Sequence, residues 1–149
     1  GDNMAIRNIV KDGDPILHKV CKPVLNFDER LWQVLDDMAE TMYEADGCGL
    51  AASQVGILRR YCIIDVGDGI IELINPVIVS TEGKQNGEEG CLSFPGQFSE
   101  VERPMKVTVK AQDRNGNLFT VEGEGLKARA FCHEIDHLDG IVYKDRVKR

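Results

Sequence analysis

The sequence predicts an α+β fold in which mixed, largely antiparallel sheets pack around a C-terminal helix, with one further amphipathic helix near the N-terminus. Strand-like runs rich in β-branched residues fill the middle of the 149-residue chain, and a helical pattern lies towards each end. Because helices and strands are segregated along the chain, antiparallel pairing is favoured over repeated βαβ units. The length suits one domain, assigned to residues 4–149, and residues 1–3 are interpreted as an expression-tag remnant.

The first helix is predicted over about residues 28–45. Its apolar residues recur at intervals of four, three and four: Leu31, Leu35, Met38 and Met42. This spacing places one apolar stripe along a helix, which indicates that the stripe packs against the core. Gly47 follows the pattern and is of the type that commonly ends a helix.

Strands are predicted at residues 60–66, 70–79, 107–111 and 118–124. Pro76 is expected to interrupt the second of these strands or to mark a sheet edge, because proline donates no backbone hydrogen bond. Asn115–Gly116 predicts a hairpin turn between the last two strands. A second helix is then predicted over residues 126–138.

Composition and charge limit the classes of function. A net charge of −7 opposes a protein whose main task is to bind phosphate backbones, so no sequence-specific nucleic-acid binding is expected. The apolar runs are too short to span a bilayer, so no membrane partner is expected either. Five cysteines with no C-x-x-C pair indicate reduced thiols, and we expect a cytoplasmic protein.

The C-terminal helix carries the pattern of a catalytic metal site in the segment AFCHEIDHLDG (130–140). His133 and His137 are four residues apart, so both imidazoles project from one helix face, and Glu134 can reach a water beside the metal. A three-histidine protease pattern matches at Gly140 but has Tyr143 where its last histidine should stand. No glutamate follows Glu134, so the third ligand is expected upstream.

A cysteine thiolate is the next candidate, since it suits zinc and ferrous iron alike. Cys62 lies in a strand-like apolar run, Cys132 is turned away from the metal-binding histidines on the helix, and Cys21 lies in a segment without other features. Cys48 and Cys91 are left, both predicted in loops beside glycine. Spacing does not choose between them.

Three segments together resemble the signature segments of bacterial peptide deformylases, in the same order: GCGLAASQVG (47–56), EEGCLSFPG (88–96) and HEIDHLDG (133–140). The resemblance extends from about Met4 to Arg146. It implies a metal-dependent hydrolase that removes the formyl group from formyl-methionyl nascent polypeptides and releases formate. It also implies action near the ribosome, although we expect no C-terminal helix of the kind with which some members dock there.

The resemblance assigns roles to individual residues. The metal ligands would be Cys91, His133 and His137, which selects Cys91 as the third ligand. Glu134 would be the general acid and base, while the Gln54 side-chain amide and the Leu92 backbone N–H would stabilise the oxyanion. The family natively prefers Fe²⁺ as its single divalent metal, and Zn²⁺ or Ni²⁺ can occupy the site.

Further residues are expected around the substrate. Gly49 would lie beside the substrate backbone, and Cys48 and Leu126 would line the pocket for the methionine side chain. Glu89 and Arg103 are expected to form a salt bridge that braces the segment carrying Cys91, with two solvated charges as the alternative.

Two features depart from the family pattern. Cys48 stands where isoleucine or valine is usual, and Cys132 stands where glutamine is usual. Neither is a ligand position. Because Cys48 is expected to line the methionine pocket, the shape of that pocket is the property that its departure would affect. Two other functions stay open: a zinc endopeptidase, and a binding module whose structural metal is closed by a second cysteine such as Cys48.

Overall fold

The computed structural model describes residues 5–147, so the interpretations placed on residues 1–4 and 148–149 lie outside the described residues. Within this range the helices and strands follow one another along the chain as α1 (Glu29–Glu44), β1 (Gly49–Ala51), β2 (Tyr61–Ile64), β3 (Ile71–Glu82), β4 (Gln85–Cys91), β5 (Phe94–Arg103), β6 (Lys106–Gln112), β7 (Leu118–Glu124) and α2 (Leu126–Leu138). Short 3₁₀ turns lie at Pro15–His18, Ala52–Val55 and Tyr143–Arg146.

The strands form two sheets. Five of them pair in the order β1-β2-β3-β6-β7, and β4 pairs with β5 in a separate two-stranded sheet. Every ladder among residues 5–147 is antiparallel, and parallel pairing is limited to one isolated bridge between Lys22 and Arg59. The α+β class and the antiparallel pairing predicted from the sequence are confirmed.

Helix α1 forms where the apolar stripe predicts it. The Asp28 side chain accepts a hydrogen bond from Leu31 N at 3.3 Å and so caps the first turn. The stripe is buried against strands β1, β2 and β3, where Leu50, Ile63 and Ile74 belong to the same apolar cluster. Gly47 does not supply the left-handed residue that ends the helix, because Asp46 does so with a φ of 56°.

Strand β3 runs through Pro76 without a break, and the predicted interruption is limited to its pairing with β6. Its register shifts between Ile74 and Val77. Asn75 adopts a φ of 52°, and its side chain bonds to both Val24 N (2.8 Å) and Val24 O (2.9 Å). The irregularity therefore joins the sheet to the segment that precedes α1.

The hairpin of β4 and β5 is absent from the predicted strands. The prediction that Cys91 lies in a loop is therefore wrong. Cys91 is the last residue of β4, and only Leu92 and Ser93 form the turn to β5. Strand β4 has the sequence QNGEEGC, which contains no β-branched residue, so its propensity gives no strand signal. Pairing with β5 along its whole length overrides that weak propensity.

Helix α2 lies between the two sheets and is buried along most of its length. Ala128, Phe131 and Leu138 belong to the apolar cluster formed with the five-stranded sheet. Polar side chains of α2 instead bond to the β4–β5 hairpin. The packing thus places one polar helix face against the end of β4. Between residues 5 and 147, no helix has the length and apolarity needed to cross a membrane.

Candidate metal centre and active site

Three potential metal ligands converge between α2 and the end of β4. His133 Nε2 and His137 Nε2 are 3.3 Å apart, and Cys91 Sγ is 3.4 Å from His137 Nε2. The three ligand atoms all lie within 4.8 Å of one another. Two nitrogens bound tetrahedrally at 2.0–2.1 Å from one ion lie about 3.4 Å apart, so this donor set fits a single divalent ion.

Local geometry explains why Cys91 joins the two histidines. His133 and His137 lie one turn apart on α2. A register shift between Gly90 and Cys91 ends the regular pairing of β4, and such irregularities commonly redirect a side chain. Cys48 is exposed and is not a member of this ligand group among the described residues, which gives no support to a site closed by a second cysteine.

The Glu89 carboxylate bonds to His133 through the ring nitrogen that does not face the other candidate ligands. Its Oε2 atom is 2.6 Å from His133 Nδ1 and 2.7 Å from Arg103 Nη2, so the expected salt bridge forms. Burial alone would raise the pKa of Glu89, but the hydrogen bonds from His133 and Arg103 lower it to about 2. Because an ionised carboxylate only accepts, Nδ1 carries a proton, which leaves Nε2 as the nitrogen that would bind a metal ion.

Two further residues that belong to this hydrogen-bond network are not predicted from the sequence. Arg129 Nη1 donates to Glu89 Oε1 at 2.9 Å, and Asp136 Oδ2 accepts from Arg103 Nη1 at 2.8 Å. Their positions on the helix carry a usable signal, since Arg129 precedes His133 by one turn and Asp136 follows it by three residues. Both therefore share the helix face that carries the first histidine.

Glu134 is buried beside the ligand group. Its Oε2 atom is 3.9 Å from His133 Nε2, and its Oε1 atom has no hydrogen-bond partner among residues 5–147. A Cβ atom at Gly49 would collide with Glu134 Oε2, so any larger residue at that position would displace this carboxylate. Burial raises the pKa of Glu134 to about 7, which suits a group that exchanges a proton near neutral pH.

Gln54 approaches the same group from the turn after β1. Its Nε2 atom is 3.5 Å from Cys91 Sγ and 3.0 Å from the hydroxyl oxygen of Ser93. Its Oε1 atom accepts a hydrogen bond from Ala51 N at 3.0 Å. Sequence reasoning selects Gln54 but not Ser93, whose only signal is its place two residues after Cys91.

A pocket with a volume of about 390 Å³ opens onto these groups. The predicted substrate and catalytic residues that line it are Cys48, Gly49, Gln54, Leu92, Leu126 and Glu134. Cys91, His133 and Glu89 also line it, whereas Arg103 and His137 are not among its lining residues. The structure thus brings the residues selected from three distant segments into one cavity.

Comparisons with known proteins agree with this arrangement. The protein-family model described as polypeptide deformylase matches residues 6–149 of this chain. The chain belongs to the polypeptide deformylase family. The peptide deformylase of Caldanaerobacter subterraneus subsp. tengcongensis is 60% identical over 146 residues, covering 98% of this chain and 92% of that protein.

Solved deformylase structures share the fold closely. The crystal structure of the Thermotoga maritima peptide deformylase has a TM-score of 0.94 at 46% identity and covers 97% of this chain and 99% of that one. The peptide deformylase of Legionella pneumophila gives 0.93 at 47% identity, with coverage of 97% and 87%. The chain is therefore a metal-dependent hydrolase that deformylates nascent peptides, as the resemblance of the three segments implies.

The contact between Glu89 and His133 predicts a measurable effect on metal affinity. In this deformylase, Glu89→Gln replaces an ionised acceptor with a neutral amide, so His133 is held less firmly in its ligating tautomer. We expect the affinity for Zn²⁺ to fall about 10- to 100-fold, measured by competition with a chromogenic chelator.

The matched control is Glu88→Gln, which changes the exposed neighbouring glutamate of the same strand. Its Zn²⁺ affinity should equal that of the unmodified protein. An unchanged affinity in Glu89→Gln would contradict the orienting role of Glu89.

Proposed function

We propose that this deformylase hydrolyses formyl-methionyl nascent peptides with Cys91, His133 and His137 as metal ligands and Glu134 as general base and acid. One observation carries the assignment: three ligand atoms within 4.8 Å of one another lie beside a buried carboxylate that faces the same pocket. A divalent ion held by these ligands would polarise a water and lower its pKa towards about 7.

Glu134 has the position and the pKa for the proton transfers. Its unpartnered Oε1 atom can accept the proton of the attacking water, and the same carboxyl can then deliver that proton to the departing amine. A pKa of about 7 makes both transfers accessible at neutral pH. The contact of Glu134 with Gly49 restricts the carboxylate to the side of the cavity where β1 passes.

The developing negative charge on the formyl oxygen needs donors that are already in place. We assign these to the Gln54 side-chain amide and the Leu92 backbone N–H, since both residues line the pocket next to Cys91. A donor of this kind contributes about 2.7–4 kcal/mol of transition-state stabilisation. The substrate backbone would lie beside Gly49, where no side chain intervenes.

Substitution of Glu134 tests the function and the assignment together. Glu134→Gln keeps the shape of the side chain but removes its basicity, so kcat should fall by about 10²- to 10⁴-fold with metal content unchanged. The measurement is formate release from a short formyl-methionyl peptide under anaerobic conditions with Fe²⁺.

Glu100→Gln, which removes an exposed carboxylate on β5, is the control and should keep full activity. Absence of formate release from the unmodified protein would overturn the proposed reaction on this substrate. Full activity in Glu134→Gln would overturn only the role of Glu134.

The native metal is proposed to be Fe²⁺, with Zn²⁺ or Ni²⁺ able to replace it. One thiolate and two imidazoles suit all three ions. Oxygen can oxidise ferrous iron or the Cys91 thiolate, so the Fe²⁺ form should lose activity in air while the Ni²⁺ form keeps it. The activity of both forms is followed after exposure to air, and equal lifetimes would contradict the proposal.

Cys48 and Leu126 are proposed to form walls of the pocket for the methionine side chain. Both line the cavity, and both are exposed to it and to solvent. Cys48→Phe should fill part of this space and lower the preference for formyl-methionyl over formyl-alanyl peptides by about tenfold or more, measured as a ratio of kcat/KM values.

Cys48→Val, which has the side chain usual in the family, is the matched control and should keep the methionine preference. An unchanged preference in Cys48→Phe would remove Cys48 from the pocket wall.

We further propose that residues 4–149 act as one catalytic domain in the cytoplasm, close to the ribosome that supplies the nascent chain. The described cysteines are all free, which is consistent with a reducing compartment. Formate release from ribosome-bound chains, compared with the same chains after their release, tests action near the ribosome.

A further inference from the structure

Ser93 contacts the proposed oxyanion donor without lining the pocket described above. The residue is fully buried, and its hydroxyl oxygen accepts a hydrogen bond from Gln54 Nε2 at 3.0 Å. We propose that Ser93 is a positioning residue whose hydroxyl fixes the direction in which the Gln54 amide faces. This inference rests on the oxyanion role proposed for Gln54.

The two ends of the Gln54 amide have different partners. Ala51 N can only donate, so it requires the oxygen Oε1 at its end of the amide. The Ser93 hydroxyl oxygen then accepts a hydrogen bond from one N–H of Nε2. The other N–H points to the side on which Cys91 Sγ lies, 3.5 Å from Nε2. A flipped amide would set Nε2 against Ala51 N, two donors facing each other. The pair of contacts therefore selects one orientation.

The backbones of both residues are anchored independently of the hydroxyl. Val10 N donates to Gln54 O at 2.7 Å, and Asp12 N donates to Ser93 O at 2.8 Å. One extended N-terminal segment thus anchors the turn after β1 and the turn after β4. Because these backbone bonds do not involve the Ser93 side chain, removal of the hydroxyl changes the amide contact while both turns stay anchored.

Loss of the hydroxyl would matter because an oxyanion donor must be oriented before the charge develops. Without Ser93 as an acceptor, one Nε2 hydrogen is left unpaired in a buried place. The amide can then turn about its last torsion towards Cys91, whose Sγ is the other acceptor within reach. The donor would be displaced from the formyl oxygen while the substrate pocket keeps its shape.

Ser93→Ala tests this directly. We expect kcat for formate release to fall about 10- to 100-fold, because small misplacements of a catalytic group have effects of this size. KM should stay unchanged, since the affected interaction forms in the transition state and not in the ground state. Thermal unfolding and metal content are measured on the same samples to show that the variant is folded and metal-loaded.

A double-mutant cycle distinguishes positioning from a general structural role. If Ser93 acts through Gln54, then Ser93→Ala added to Gln54→Ala should cause no further loss of kcat. Gln54→Met, which has nearly the same length, replaces Gln54→Ala if the smaller side chain impairs folding. Ser53→Ala is the matched control, because Ser53 is also fully buried next to Gln54 but its hydroxyl is not bonded to it.

The possible outcomes separate the two claims. A loss in Ser93→Ala that disappears in the Gln54→Ala background, with Ser53→Ala fully active, supports the inference. Full activity of Ser93→Ala, or a loss of equal size in both backgrounds, overturns it and leaves the deformylase assignment intact. Full activity of Gln54→Ala overturns the role of Gln54 and, with it, that of Ser93.

Discussion

The site depends on one buried carboxylate, that of Glu89. The β4–β5 hairpin forms its own sheet, so no strand pairing with the five-stranded sheet fixes Cys91 relative to α2. Glu89 is central to that connection, because it bonds to Arg103 on β5 and to Arg129 and His133 on α2. Asp136 on α2 adds a second contact to Arg103. Burial of an unpaired charge is costly, so loss of one of these partners would weaken the contact that holds the hairpin against the helix.

Two buried glutamates near the candidate metal centre, Glu89 and Glu134, have pKa values shifted in opposite directions. Glu89 has cationic and donor partners, and its pKa falls to about 2. Glu134 is buried with fewer partners, and its pKa rises to about 7. Neighbouring carboxyls with such different pKa values commonly have different tasks. Here Glu89 is an anion that bonds to the proposed ligand His133, and Glu134 has a pKa that would allow the proton exchange proposed for it.

Sequence reasoning succeeds where periodicity reflects burial and fails where tertiary contacts decide. Helix α2 is predicted with its observed bounds and α1 nearly so, because each has a continuous helical pattern. The β4–β5 hairpin escapes prediction because β4 is polar and rich in glycine, and its inward residue is the charged Glu89. Cys91 could be selected as the candidate third ligand only from the resemblance, since it lies at the end of β4 in a separate sheet that packs against α2.

Residues 47–49, which lead into β1, place two glycines on either side of Cys48. A Cβ atom at Gly47 would lie 2.6 Å from Leu92 Cδ1, and one at Gly49 would meet Glu134. At both positions the absence of a side chain lets the backbone lie directly against residues proposed to be catalytic. Cys48, between them, has a side chain that lines the pocket. A change of residue at Cys48 would thus alter the space inside the pocket, while a side chain at either glycine would displace the groups proposed to perform the reaction.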